Sequence, residues 1–97
     1  MQTTDFAHQI SPPLRAVAHK LVDQGAFDLL QSVASFLAAV ASGQWSQVAA
    51  DEQVMWLDRL ASWLGRYTTD RWDLEDEDFN RALEVLQAQE KAVKRRL

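Results

Sequence analysis

Residues 26–67 hold two successive helix patterns, each apolar around about half its circumference. Ala26 to Ser42 places Leu29, Leu30, Val33, Phe36, Leu37 and Val40 within one arc of a 3.6-residue helix. The neighbouring arc adds Phe27, Ala34, Ala38 and Ala41, leaving Asp28, Gln31, Ser32, Ser35, Ala39 and Ser42 for water. An arc this wide suits a helix covered by several neighbours rather than by one. Glu52 to Tyr67 repeats the design with Val54, Leu57, Leu60, Ala61 and Leu64, flanked by Trp56, Trp63 and Tyr67. Neither stretch contains a catalytic constellation.

The rest of the chain obeys the same period. Ser11-Pro12-Pro13 reads as a helix start, with serine as N-cap and proline in the first turn, where its missing N–H leaves no bond unmade. Leu14, Val17, Ala18, Leu21 and Val22 then form one stripe that ends at Gly25. The expected helices cover about 12–24, 26–42, 52–66 and 75–95, with 1–10 as a leader that forms at most one short turn. The links 44–46 and 68–72 carry Trp45 and Trp72. In the last helix Phe79, Ala82, Leu83, Leu86, Val93 and Leu97 make a narrow stripe. Glu90 falls inside it, so the C-terminal half is expected to dock loosely or to meet another chain.

Composition agrees. Fourteen alanines against three glycines and two prolines favour helix, and no segment alternates β-branched residues as a strand does. Ninety-seven residues, 47% hydrophobic and 25% charged, make one folded domain over 1–97. The expected fold is therefore all-α, a compact four-helix bundle. The absence of cysteine removes disulfides and thiolate chemistry, and the N-terminus lacks the basic and apolar regions of a secretory signal. The longest apolar stretch is too short and too interrupted to span a bilayer. A cytoplasmic location is expected. The net charge of −4 argues against a dedicated duplex-DNA binder.

Five carboxylates crowd into six residues at Asp73, Glu75, Asp76, Glu77 and Asp78. A calcium loop needs a glycine for its sharp turn, and none follows Gly65. The acids instead suit the positive end of a helix dipole, and Lys91, Lys94, Arg95 and Arg96 suit its negative end. Two sharper readings accompany this one. The bases read as phosphate contacts, or the acidic and basic ends as a head-to-tail contact between copies.

Four tryptophans are many for a chain of this size. Trp56, Trp63 and Tyr67 line one edge of the third helix, with Met55 on its polar face. Either they fill the core, as large aromatics do, or they anchor a partner or stack unpaired bases. Trp45 and Trp72 divide between the same readings. The candidate partner contacts are Trp45, Met55, Trp56, Trp63, Tyr67 and Trp72.

His8 and His19 are too isolated to form a metal pair. His19 lies on the polar side of the first helix, and Ala18-His19-Lys20-Leu21 resembles the motif of histidine phosphotransfer domains. That motif has lysine and glycine directly after its leucine, where this chain has Val22 and Asp23. There is no Gly-rich phosphate loop, nucleophile elbow or HExxH arrangement. No catalytic residue, metal site or cofactor is expected.

One further resemblance covers most of the chain. Leu21-Val-Asp-Gln-Gly25-Ala-Phe27, leading into Val33-Ala-Ser-Phe36-Leu37, resembles the small helical subunit of type III CRISPR effector complexes. Trp56-Leu57 and Trp63-Leu64 follow, then Ala82-Leu83 to Arg96 as a basic C-terminal helix. Related small subunits occur in type I complexes. The resemblance implies an antiviral-defence subunit that stacks in rows and touches guide or target RNA or DNA backbone. Arg15, Lys20, Arg59 and Arg66, with Lys91, Lys94, Arg95 and Arg96, would be its phosphate contacts. This chain departs in being short and net acidic. The reading of the residues themselves is a non-catalytic helical interaction subunit, working with a protein partner or with copies of itself.

Overall fold

Helices follow one another with short links in a computed structural model, which describes residues 2–70 and 76–97, with side chains over 8–69 and 76–97. The elements are α1 (Gln2–Asp23), α2 (Phe27–Ser42), a short 3-10 turn (Gln44–Gln47), α3 (Ala50–Asp70) and α4 (Glu77–Lys94). No strand occurs among the described residues. The all-α four-helix architecture is as the periodicity requires, within extents of 37 × 24 × 20 Å. No helix among them is long and apolar enough to cross a membrane.

The first helix departs from expectation. It runs unbroken from Gln2 through Pro12 and Pro13, so 2–10 is helix and Ser11 is no N-cap. Two internal prolines remove the N–H groups that would reach the carbonyls of His8 and Gln9. Both of those residues are exposed, which leaves their carbonyls open to water. Burial on the other face offsets the loss. Ile10, Leu14, Val17 and Leu21 are fully buried at spacings of four, three and four, and Pro13 is buried among them. Ile10 ties the turn before the prolines to the core, worth about 1.5–3 kcal/mol for a side chain of its kind.

Gly25 ends α1 at φ +73. Its N–H reaches the Val22 carbonyl at 3.1 Å and the Ala26 N–H reaches Leu21 at 3.0 Å, the paired bonds of a Schellman cap. Gly43 closes α2 at φ +83. The α4 start is capped by Asp76, whose carboxylate accepts from the Asp78 N–H at 2.9 Å.

The order of packing matters more than the helices themselves. Within the bundle α2 lies on α1, α1 on α4 and α4 on α3, while α2 and α3 meet only sparsely. The core runs through Leu14, Val17 and Leu21 to Leu57, Leu60 and Leu64 and on to Phe79 and Leu86. The α2–α3 seam is stopped at one end by the 3-10 turn. There Trp45 packs edge-on against Phe36, centroids 4.9 Å apart, and its carbonyl accepts from the Gln53 side chain at 2.8 Å.

Two expectations about cover change accordingly. The C-terminal half of α4 docks firmly, because Val93 is fully buried and Glu90 pairs with Lys94 at 3.0 Å. The wide apolar arc of α2 is covered only in part. Val33, Phe36 and Val40 are buried, while Phe27, Ala34, Ala38 and Ala41 remain exposed because, among the described residues, no helix lies on that side.

Candidate functional site

The open α2–α3 seam forms a groove in two joined clefts. One, about 410 Å³, is lined by Asp28, Leu29, Ser32, Trp63, Arg66 and Tyr67. The other, about 370 Å³, is floored by Phe36, Trp45, Val48 and Leu60, with Gln31, Ser32, Ser35, Ala39 and Trp56 at its sides. Ser32 belongs to both, so the clefts form one path between the helices. From α2 the groove is lined by Asp28, Leu29, Gln31 and Phe36 together with the small residues Ser32, Ser35 and Ala39. The α3 wall is high because Trp56 and Trp63 project from it.

Those two tryptophans do not fill the core. They stand 39% and 38% exposed, and Met55 beside them is 40% exposed. Arg59 lies over the Trp56 ring, 5.7 Å from its centroid, which fixes a positive charge beside the groove. Tyr67 is half-buried, stacked near Phe79 at 5.9 Å, and its hydroxyl donates to the Gln24 side chain. It ties α3 to the end of α1 while one edge of its ring faces the first cleft.

Trp45 leaves the set of surface contacts. At 5% exposure it is core, drawn inward because the 3-10 turn folds back onto Phe36. Trp72 lies outside the described residues, as do Asp73 and Glu75 of the acidic run. The seam now brings Trp56, Trp63 and Tyr67 together with Phe36, Leu60 and Ser32. Sequence periodicity assigned Phe36 and Leu60 to the core, and gave no sign that they also floor a groove.

The candidate phosphate contacts scatter. Lys20, half-exposed at the end of α1, is occupied by the α4 start, where Asp76 and Asp78 (2.9 Å) both pair with it. Asp76 and Asp78 therefore face the protein's own lysine, while Glu77 stays exposed. Burial raises the Asp76 pKa, but the Lys20 ammonium and the N–H groups of Asp78 and Phe79 outweigh it and hold the carboxyl below its ordinary value. Hydrogen bonds to the Asp76 and Asp78 carboxylates raise Lys20 above its usual range. Arg15 is exposed on α1, whereas Arg59 and Arg66 stand by the groove. Lys91, Lys94, Arg95 and Arg96 are exposed at the far end of α4, with Lys94 paired to Glu90.

A second cleft, about 860 Å³, opens between α1 and α4 beside Pro12, Pro13, Asp78, Arg81, Glu84 and Val85. It is wider and more charged than the seam, and no aromatic side chain lines it. His8 stands at its edge, and His19 is exposed elsewhere on α1. Among the described residues no charged or polar side chain is buried, and no cluster of three or more His, Asp or Glu could hold a metal ion.

Scans against protein-family models, curated proteins and solved structures find no match to this chain. The geometry alone must therefore carry the functional reading.

Proposed function

We propose that the chain is a non-catalytic protein-interaction module whose binding surface is the α2–α3 groove. The observation that carries this reading is the placement of Trp56 and Trp63. The bundle has a closed core without them, yet both stand partly exposed along an apolar-floored groove. Exposed aromatic anchors beside a preformed apolar cleft are the usual makings of an interaction hot spot. The groove converges no nucleophile with a base, so it offers a ligand shape and apolar area rather than chemistry.

The test is a paired affinity purification of the tagged chain and its Trp56→Ala/Trp63→Ala variant from cells that express it. An Arg81→Ala/Glu84→Ala variant on the opposite cleft serves as the control. The reading expects a partner retained by the chain and by the control, and lost from the tryptophan variant while its helical circular dichroism is unchanged. Retention by the tryptophan variant would overturn it.

A second reading, backbone contact with RNA or DNA inside a ribonucleoprotein, is favoured by one observation. Lys91, Arg95 and Arg96 form an exposed basic end of α4 and, among the described residues, have no ion-pair partner. It expects single-stranded RNA binding that weakens steeply with salt and falls when these three become glutamate. Phosphotransfer through His19 rests on exposure alone, with the adjacent Lys20 already engaged by two carboxylates. A His19→Gln control in a phosphoryl-donor assay decides it.

A further inference from the structure

Resting on the groove reading above, we propose that the occupant is an amphipathic α-helix of a partner protein. It carries two large apolar anchors two turns apart and carboxylates along the flank that faces Arg59 and Arg66.

The spacing of the clefts supplies the first argument. Trp56 and Leu60 border one cleft and Trp63 and Tyr67 the other, so corresponding wall residues lie seven apart on α3. Seven residues of helix rise about 10.5 Å. A ligand helix lying along the groove presents anchors at i and i+7 with that separation. An extended strand rises about 3.3 Å per residue and repeats one face every second residue, giving about 6.6 or 13 Å. Anchors at i and i+7 of a ligand helix match the spacing of the α3 wall residues, and the face repeat of a strand does not.

Charge supplies the second. The chain is net acidic, at −4, yet the edge outside the tryptophans carries Arg59 and Arg66, one turn beyond Trp56 and Trp63 respectively. Neither arginine has an ion-pair partner among the described residues. Arg59 is held over the Trp56 ring, so its charge is already positioned. The acids of this edge stand at its ends, Glu52 one turn before Trp56 and Asp28 in the cleft with Arg66. Between them the rim is cationic and the floor apolar. A helix with apolar anchors and an acidic flank satisfies both.

Selection from a displayed library of peptides with unbiased sequence tests this on the full chain. The expected binders carry apolar residues at i and i+7 with Asp or Glu on one flank. Their affinity drops about tenfold or more in Arg59→Glu/Arg66→Glu, and the same library selected on that variant yields basic flanks instead. Binders that require Trp56 and Trp63 but are basic, neutral or proline-rich would overturn the partner chemistry and leave the groove standing. Binders indifferent to both tryptophans, or no binders, would overturn the groove itself. A uridine oligonucleotide that competes for the groove, or sedimentation of the chain alone as a dimer sensitive to Trp63→Ala, would assign it to another occupant.

Discussion

Lys20 and Asp76 fasten the end of α1 to the start of α4, and their titration sets how stability responds to pH. The Asp76 carboxyl is held below its ordinary value of 3.8, so its contribution is fully present above that value and fades as pH falls through the lowered one. Lys20 is raised above 10.5, so its contribution holds below that value and fades as pH rises through the raised one. Urea midpoints measured across the acid range should fall less steeply for Lys20→Met than for the parent chain, and identical slopes would contradict the pairing. Replacing the cap with Asp76→Ala should cost about 0.5–2 kcal/mol at neutral pH. Gly25 gives a cleaner backbone case. A methyl group there would meet nothing within 4 Å, so the roughly 1–2 kcal/mol loss expected of Gly25→Ala comes from its left-handed φ alone. The glycine was legible in the sequence because only that residue tolerates the turn at little cost. The Lys20–Asp76 pair was not, since it joins positions 56 apart and follows no local rule.

Helix identity was legible element by element, because apolar residues at 3.6-residue spacing admit little else. The start of α1 was not. Ser11-Pro12-Pro13 satisfies every local rule for an N-terminus, and what overrides it is tertiary, the burial of Ile10 immediately before it. Pro12 is exposed and mid-helix, so Pro12→Ala restores a bond to the His8 carbonyl and should raise the urea midpoint, by up to about 3 kcal/mol in stability. A lower midpoint would mean the helix does not continue through that position. The tryptophans divide in the same way. Trp45→Ala should cost about 3–5 kcal/mol, in keeping with its place against Phe36, and Trp63→Ala markedly less. Equal losses would contradict the distinction between plug and rim. Periodicity put Trp56 and Trp63 on one edge of α3 but could not say which neighbour that edge would lack.

At the scale of the molecule, the packing order α2–α1–α4–α3 leaves one seam without its own closure. The seam is shut at one end by Trp45 and lined by residues from Asp28 to Ala39 on α2 and by Trp56 and Trp63 on α3. Such an opening depends on which helices become neighbours, information that sequence spacing does not hold. That seam is the proposed docking site of a partner protein. Incorporating a photo-crosslinking residue at Ser35, inside the groove, and separately at Glu84, on the opposite cleft, tests it most directly in cells that express the chain. Docking in the seam gives a discrete protein adduct from Ser35 and none from Glu84. Adducts from Glu84 alone, equal labelling at both positions, or none from Ser35 would contradict it.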